Sequence, residues 1–257
     1  MIEFNPLEKW VRRHFQVYLI LRRIAPFICR FIDLEEGFSI LKYVLTKKDT
    51  NLVVIDAGSN DGTSMRMIRR YLKHTKIIAI DPVQRPKFRT SNFSFFDIAL
   101  GNSESEALLY TPIVRNKRLT QYSSFFSENV VDAVMSDSGV KRSEIGLEEK
   151  LVFIKTIDIL DLQPIFIKID VEGFELQVLQ GATNTLNLNK PILLVEILSE
   201  VKYQEIAFFL KSLNYMNVFP NFPKNRNSLN IEVESFIQTT RNYVWVPISD
   251  APYWSFK

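Results

Sequence analysis

The stretch LVVIDAGSNDG, from Leu52 to Gly62, decides the fold. Four apolar residues lead into Asp56, and a turn follows in which Gly58 and Gly62 flank Asn60. An apolar run that does not alternate with polar residues is typical of a strand buried on both faces of a parallel sheet. Ligands of open α/β sheets bind at the carboxyl ends of the strands, so the turn after this strand is predicted to form part of a ligand site.

Strands and helices alternate along the rest of the chain. Further buried strands are predicted for KIIAIDP, FSFFDIALG, PIFIKID and KPILLVEIL, and two terminal strands for YMNVFPNF and NYVWVPIS. Helices are predicted for TSMRMIRRYLKH, EGFELQVLQGATNTL and EIAFFLKSLN. This order predicts an α/β fold with a doubly wound, mostly parallel sheet and helices on both faces.

The composition is that of an ordinary globular domain, with 46% hydrophobic and 24% charged residues. The net charge of +3 is too small to indicate a nucleic-acid-binding protein. The single cysteine, Cys29, rules out a disulfide framework and fits a reducing compartment such as the cytoplasm. Two histidines are too few for a histidine-based metal cage. We interpret residues 51–257 as one domain, preceded by a helical appendage over residues 1–50.

The appendage contains the apolar and basic segment EKWVRRHFQVYLILRRIAPFICRFIDL. Arg22 and Arg23 interrupt its apolar run and no small-residue cleavage site follows, so the segment does not match a signal peptide. It is predicted to form an amphipathic helix that breaks near Pro26. Three placements stay open: against the main domain, against a second subunit of a homo-oligomer, or on a membrane surface as a peripheral contact.

Three acids are predicted to lie at successive strand ends, namely Asp56, Asp81 and Asp97. The first turn lacks both the G-x-G-x-x-G pattern of a dinucleotide fold and the Gly-Lys-Ser/Thr ending of a P-loop. A carboxylate there would repel a pyrophosphate but suits the ammonium group of S-adenosylmethionine. Asp81 is placed to accept hydrogen bonds from both hydroxyls of an adenine-linked ribose, and Asp97 to bind the adenine amino group beside Ile98. Each acid alone would fit a helix N-cap or a solvated loop. The three together predict an adenosyl cofactor, with methyl transfer as the leading chemistry.

Several motifs between Leu52 and Leu198 together resemble the FkbM family of S-adenosylmethionine-dependent methyltransferases. They are VVIDAGSNDG, IAIDP, DIALGNSESEALLY, the serine pair at 123–124, IKTIDIL, IKIDVEGFELQVLQGA and ILLVEIL. The most specific of them is KIDVEGFELQVLQGA. The resemblance implies a class I methyltransferase fold, in which a Rossmann-like sheet of seven strands has its last strand antiparallel. It also implies methylation of hydroxyl groups, often those of sugars.

The resemblance assigns roles to individual residues. The cofactor's amino-acid part is assigned to the first turn, its ribose to Asp81, and its adenine to Asp97 and Ile98. Asp81 stands where a glutamate is more usual in the family, but the shorter side chain can still reach. The signature turn after the fourth strand contains Asp170, Glu172 and Gly173. The full cofactor-binding set is Asp56, Gly58, Ser59, Asn60, Gly62, Asp81, Pro82, Asp97 and Ile98.

Methyl transfer to an alcohol gains from a base that takes the hydroxyl proton. Asp170, Glu172 and Glu196 are candidates, because all three are predicted to lie near the strand ends, whereas His14 and His74 are not. Lys168 lies in an otherwise apolar strand, on the same face as Asp170. It is predicted either to form a buried ion pair, with Asp158 as one candidate partner, or to position Asp170 or a substrate oxygen. Asp170 and Glu172 could instead bind a divalent cation, and the sequence leaves the metal undecided.

The segment from Ile113 to Lys150 loses the regular pattern and forms an insert. Its stretch Tyr122–Phe126 combines aromatic rings with hydroxyl groups, which suits the face of a sugar. This segment is therefore the predicted acceptor wall, unless it is a surface excursion with a small core of its own. The leading hypothesis is O-methylation of a sugar hydroxyl in a glycan or glycosylated small molecule. The alternatives are a lipid or protein acceptor, or a cofactor-binding scaffold without catalysis.

Overall fold

The computed structural model describes residues 28, 37–44, 52–87, 92–218 and 241–248. Most of the predicted appendage, including Cys29, and the aromatic tail after residue 248 lie outside the described residues. Within the appendage, Phe38–Ile40 forms a 3-10 helix that leads into helix α1, Leu41–Val44. Phe38, Ile40 and Leu41 are fully buried in the domain core. Among the described helices, none combines the length and apolar character that crossing a membrane requires.

The main sheet contains seven strands. In chain order they are β1 Val53–Ala57, β2 Lys76–Ile80, β3 Phe93–Phe96, β8 Pro164–Ile169, β9 Ile192–Glu196, β10 Tyr215–Val218 and β11 Asn242–Pro247, with four shorter or outlying strands between β3 and β8. Their spatial order is β10-β11-β9-β8-β1-β2-β3. All neighbours are parallel except β11, which is antiparallel to both β9 and β10. The predicted doubly wound, mostly parallel sheet with an antiparallel last strand is confirmed.

Helices cover both faces of this sheet, because its strands are apolar on both sides. On one face, α2 Thr63–Tyr71 packs with the 3-10 segment against Val54, Phe166 and Leu194. On the other, α4 Glu175–Gln180, α5 Thr183–Asn189 and α6 Glu200–Ser212 pack against Ile55, Ile167 and Val195. The stretch predicted as one helix, EGFELQVLQGATNTL, is thus two helices separated at Gly181.

A second sheet forms where the sequence pattern was weak. Its strands are β4 Ala99–Leu100, β5 Ser105–Val114, β6 Lys117–Arg118 and β7 Ile145–Lys155, in the order β4-β7-β5-β6. Strands β5 and β7 pair antiparallel over ten residue pairs. Between β6 and β7 lie a 3-10 turn, Thr120–Tyr122, and helix α3, Ser127–Ser138. The insert is therefore regular structure. The stretch FSFFDIALG, predicted as one strand, is divided between β3 in the main sheet and β4 in this second sheet.

Chain order places the switch point of the main sheet between β1 and β8. From β1 the chain moves to β2 and β3 on one side, and later to β8 and β9 on the other. The register puts Asp56 opposite Lys168, and Ala57 opposite Ile169, at the carboxyl ends of these strands. Because connections diverge here, a crevice opens above the strand ends, and ligands of open α/β sheets bind in such a crevice.

Candidate active site

The turn after β1 requires glycine at position 58. Gly58 has a φ of +79°, and a Cβ built there would lie 1.7 Å from the carbonyl oxygen of Asp170. Any side chain would therefore push the turn away from the end of β8. The backbone N–H groups of Gly58 and Ser59 donate to the carbonyl oxygen of Ile80, at 2.9 and 3.3 Å. Three strand ends are thus drawn together around the turn.

Asp81 at the end of β2 is held by backbone donors. Its Oδ2 accepts from the N–H of Asn60 at 2.8 Å, and its Oδ1 accepts from the N–H groups of Val83 and Gln84 at 2.8 and 3.0 Å. Burial raises the pKa of Asp81, and these donors offset part of the rise. An ionised carboxylate has about four lone-pair sites. With three donors in place, one site on Oδ2 remains for a ligand hydroxyl.

Asp56 lies beneath the turn rather than in the crevice. It is fully buried, and its Oδ2 accepts a hydrogen bond from the hydroxyl of Ser64 at 2.6 Å. Among the residues that the structure describes, its Oδ1 has no hydrogen-bond partner. Burial raises the pKa of Asp56 to about 6, although the ammonium of Lys168 acts in the opposite direction. Asp56 therefore does not line the crevice, and any effect that it has on a ligand there would pass through the turn after β1.

The predicted adenine residues do not lie in the crevice. Asp97 is exposed, and its carboxylate forms an ion pair with the Lys150 ammonium at 2.8 Å. The same ammonium donates to the carbonyl oxygen of Pro82 at 2.7 Å. Neither Asp97 nor Ile98 lines the crevice, and Gly62 also lies outside its lining. The resemblance assigned these residues by sequence position, which does not specify where their side chains point.

Lys168 forms its ion pair with Asp170. The ammonium of this buried lysine lies 2.7 Å from Oδ2 of Asp170. The alternative partner, Asp158, instead binds the start of α5, accepting from the N–H groups of Asn184 and Thr185 at 3.0 and 2.8 Å. The expectation that Asp158 pairs with Lys168 is therefore wrong, because Asp158 is already used in fixing that helix.

Three carboxyl groups meet beside Lys168, namely those of Asp170, Glu172 and Glu196. One oxygen from each lies within 4.8 Å of the others. Asp170 and Glu196 share a hydrogen bond, and Arg241, just before β11, lies 3.9 Å from Oε1 of Glu196. Such a group of oxygens could hold a divalent cation. Arg241 could not be predicted from the sequence, because it reaches the site only through the antiparallel pairing of β11 with β9.

Burial and the charges in this cluster shift the pKa values of the three acids in different directions. Burial favours the neutral form of Asp170, but the Lys168 ammonium and the hydrogen bond with Glu196 outweigh it, so the pKa of Asp170 lies below its usual value. Burial and the negative charge of Asp170 raise the pKa of Glu172 and that of Glu196 well above the usual value. Asp170 is therefore the first of the three to ionise as pH rises, and Glu196 is the hydrogen-bond donor in the Asp170–Glu196 pair.

Glu172 has an unusual backbone conformation. Its φ is +52° and that of Gly173 is +101°. The turn is held by the carboxylate of Glu175, which accepts from the N–H groups of Val171 and Gly173 at 3.2 and 2.9 Å. A non-glycine residue in the left-handed region costs free energy and is common at functional sites. The strained turn directs Glu172 into the crevice lining.

The turn after β1, Asp81 and the carboxyl cluster beside Lys168 line one cavity of about 610 Å³. We name the parts of the cavity after the roles that the sequence predicts for them, and call the side formed by Gly58, Ser59, Asn60, Asp81 and Pro82 the donor half. We call Lys168, Asp170, Glu172 and Glu196 the catalytic half, and Tyr122, Ser123, Ser124, Phe125 and Phe174 the acceptor wall. The rings of Phe125 and Phe174 lie 4.8 Å apart. Phe174 was not predicted as a wall residue, although it stands in the motif that contains Asp170 and Glu172.

Comparisons with known proteins identify similar sequences and folds. A family model described as the methyltransferase FkbM domain matches residues 56–216, which is more than half of the chain. The structure of methyltransferase FkbM from Methylobacillus flagellatus KT is similar with 15% identity and a TM-score of 0.48, over 82% of this chain and 48% of that chain. This chain thus spans about half the length of that protein. No curated protein matches the sequence.

Two further solved structures are similar over most of their length. The plantazolicin methyltransferase BpumL, in complex with SAH, has 12% identity and a TM-score of 0.44, covering 93% of this chain and 94% of its own. A precorrin-6y C5,15-methyltransferase from Geobacter metallireducens GS-15 has 12% identity and a TM-score of 0.38, covering 81% of this chain and 86% of its own.

Proposed function

We propose a specific reaction for this chain, which belongs to the FkbM family of methyltransferases: transfer of the methyl group of S-adenosylmethionine to a sugar hydroxyl. The observation that supports the proposal is the single cavity at the switch point. It combines a donor half, a cluster of carboxyl groups and an aromatic wall with hydroxyl groups. These are the features that a cationic donor and a carbohydrate acceptor require side by side.

The donor half offers hydrogen-bonding groups that S-adenosylmethionine could use. Ser59 is buried and lines the cavity, and its hydroxyl has no hydrogen-bond partner within the described part of the chain. A buried polar group without a partner is costly, so a ligand that supplies an ammonium or carboxylate there would be favoured. The remaining acceptor site on Asp81 would take one ribose hydroxyl. Among the described lining residues, the cations Lys168 and Arg241 lie with the carboxyl cluster, whereas the donor half carries the carboxyl group of Asp81, which suits the sulfonium of the donor.

Glu172 is the proposed general base. Its carboxylate makes no hydrogen bond to any described residue, whereas those of Asp170 and Glu196 bond to each other. A base with a raised pKa accepts a proton more readily than one with a lowered pKa. In the proposed step the acceptor oxygen bonds to the methyl carbon as the carbon–sulfur bond breaks. The hydroxyl proton passes to Glu172, and the sulfur becomes neutral. Asp170, fixed by Lys168, orients the acceptor.

The acceptor wall supports a sugar as the acceptor. Phe125 and Phe174 present rings to the cavity, and Tyr122, Ser123 and Ser124 supply hydroxyl or backbone groups close to them. Sugars have apolar C–H faces and hydroxyl edges, and carboxylates accept hydrogen bonds from such hydroxyls. A purely apolar acceptor would leave the carboxyl group of Glu172 without a hydrogen-bond partner among the described residues, which is unfavourable.

A divalent cation is a second proposal for the same carboxyl groups. Asp170, Glu172 and Glu196 would hold it, and bound there it would supply a positive charge that acidifies a coordinated hydroxyl. The two proposals are exclusive for Glu172, which cannot be both a metal ligand and a proton acceptor. Assays in EDTA and in graded Mg²⁺ decide between them. Full turnover in EDTA would reject the cation.

The function is tested with S-adenosylmethionine that has a labelled methyl group. The protein is incubated separately with oligosaccharides and sugar nucleotides, with phospholipid vesicles, and with unglycosylated proteins. We expect label in the carbohydrate pool, in a product heavier by one methylene, and resistant to mild alkali as an ether is. The Glu172→Gln variant is the control, expected to bind S-adenosylhomocysteine and to transfer little. Label only in lipid or protein would contradict a sugar acceptor, and donor binding without transfer to any pool would favour a scaffold.

The cytoplasmic location is also a proposal, supported by the single cysteine of the sequence. The peripheral membrane contact is a further proposal, supported by the basic and amphipathic sequence of residues 1–32. Sedimentation with anionic vesicles compares the full chain with a chain that lacks those residues. Equal pelleting of the two would reject the membrane contact.

A further inference from the structure

The 3-10 turn Thr120–Tyr122 of the insert contacts the donor half through Thr120. We infer that the Thr120 hydroxyl is a positioning residue that couples donor binding to the order of the acceptor wall. The inference rests on the proposed function, because it assumes that donor and acceptor occupy the two sides of this cavity.

Three side chains form a node between the insert and the donor half. The Thr120 hydroxyl donates to Oδ1 of Asn60 at 2.8 Å. The Gln84 amide donates to the same Asn60 oxygen and, at 3.3 Å, to the Thr120 hydroxyl. Thr120 thus uses its hydroxyl both as donor and as acceptor. The node joins residues from three separate segments of the chain, so its formation depends on all three being in place.

The node is linked directly to the group proposed to bind ribose. Asn60 has a φ of +42°, a strained conformation, and its N–H donates to Oδ2 of Asp81 at 2.8 Å. The N–H of Gln84 donates to Oδ1 of Asp81 at 3.0 Å. A ribose hydroxyl on Asp81 would therefore bind the carboxylate that fixes both Asn60 and Gln84. Donor binding is thereby expected to hold the two partners of Thr120 in place.

On its other side, Thr120 is followed directly by the acceptor wall. The hydroxyl of Tyr122 donates to Asp137 of α3 at 3.0 Å, and the hydroxyls of Ser123 and Thr111 lie 2.9 Å apart. The backbone of Ser124 pairs with that of Tyr110 at 2.9 and 3.1 Å. These contacts attach the wall to the second sheet and to α3 independently of the donor. Thr120 adds a hydrogen bond to the donor half, through Asn60.

The coupling has a direct consequence for the reaction. With the donor bound, the wall that includes Phe125 is held in the position needed by the acceptor. Without the donor, that wall loses part of its support. One hydrogen bond between uncharged groups corresponds to about a two- to tenfold change in an equilibrium. We therefore expect the acceptor to bind about two- to tenfold more tightly to the donor complex than to the free protein.

Hydrogen exchange of the full chain tests the inference with S-adenosylhomocysteine as the probe. In the unaltered protein, the probe is expected to slow exchange of amides in residues 119–126 by about two- to tenfold. Thr120→Val should abolish that slowing, and Thr120→Ser, which restores the hydroxyl, should recover it. Thr111→Val is the matched control. It removes a hydroxyl contact of the same wall on the side of the second sheet, and should keep the response to the probe.

The outcomes separate the inference from the proposed function. Failure of the unaltered protein to bind the probe in calorimetry would overturn the proposed function. Binding without slower exchange in residues 119–126, or equal slowing in Thr120→Val, would overturn the role of Thr120 alone. Thr120 is half-buried, and Thr120→Ala provides the same comparison if the valine variant does not fold. With an acceptor in hand, Thr120→Val should raise the acceptor KM and leave kcat nearly unchanged.

Discussion

The donor half and the catalytic half of the cavity hold their carboxylates in different ways. Asp81 in the donor half is bound by backbone N–H groups, two of which come from its own loop. Asp170 in the catalytic half is bound by side chains, the ammonium of Lys168 and the carboxyl of Glu196. Backbone donors cannot be mutated or titrated away, whereas side-chain partners can. The hydrogen bonds that hold Asp81 should therefore survive substitution of the neighbouring side chains, whereas those that hold Asp170 should not.

Neutralising Glu172 should have the largest effect on the reaction. General-base catalysis contributes about 10²- to 10⁴-fold to rate, so Glu172→Gln is expected to lower kcat by that factor. The affinity for S-adenosylhomocysteine, measured by calorimetry, should change little, because Glu172 lies outside the donor half. Glu148→Gln, which removes an exposed carboxylate paired with Arg118, is the control with normal turnover. Normal turnover in Glu172→Gln would remove this residue from the mechanism.

The pH profile sharpens the same assignment. The pKa of Glu172 is raised, so the fraction of active, ionised base grows as pH increases through that pKa. The value of kcat/KM should therefore rise with pH. The midpoint of the rise should lie above the usual glutamate pKa, and kcat/KM should become constant at pH values above that midpoint. Glu172→Gln should retain no such rise in its residual activity. A profile that rises at the ordinary glutamate pKa would indicate an unperturbed base instead.

Breaking the buried ion pair should strongly destabilise the fold. Asp170→Asn leaves the Lys168 ammonium buried beside a neutral amide, and removal of one partner of a buried pair costs about 3–5 kcal/mol. Replacing both, with Lys168→Met added, should recover part of that loss in denaturant unfolding. The exposed pair of Lys150 and Asp97 is the comparison, since Lys150→Met should cost less than about 1 kcal/mol. Equal costs for the two pairs would contradict the difference in burial.

Asp56 beneath the turn should make stability depend on pH. Its pKa is raised from 3.8 to about 6, so the folded state binds this proton more tightly than the unfolded state. The stability associated with it is complete below pH 4 and is lost as pH rises through 6, by about 3 kcal/mol. Asp56→Asn should remove this loss, and unfolding free energies measured from pH 4 to pH 8 would show it. Identical pH slopes in the two proteins would contradict the assignment.

The smallest effect is expected at the acceptor wall. Phe125→Ala removes one ring of the Phe125–Phe174 contact, and such a contact contributes about 0.5–1.5 kcal/mol. The acceptor KM should rise by about two- to tenfold, with donor affinity unchanged. Phe153→Ala, which removes an exposed ring on β7, is the control for loss of aromatic surface. A rise of KM in the control but not in Phe125→Ala would reject the wall.

Whether a sequence prediction was correct depended on how far apart along the chain the contacting residues lie. The strand ends at Asp56, Asp81 and Asp170 were located correctly because each follows a run of apolar residues, a pattern that is read within a few residues. Asp97 was placed in the site by the same pattern, yet its partner is Lys150, more than fifty residues away. The second sheet was missed for a similar reason, because β5 and β7 are half-exposed strands whose pairing spans the whole insert.

The sequence by itself determined the doubly wound sheet, the position of its strand ends and the family. These depend on apolar periodicity, on the glycine-containing turn and on the motif around Asp170, all of which are local. Only the tertiary structure decided which groups share the cavity, such as Arg241 beside Glu196 and Thr120 beside Asn60. It also decided that Asp158 binds the start of α5 and does not pair with Lys168. Hydrogen bonds and ion pairs act over a few ångströms in space, and the distance between two residues along the chain does not fix their distance in the fold.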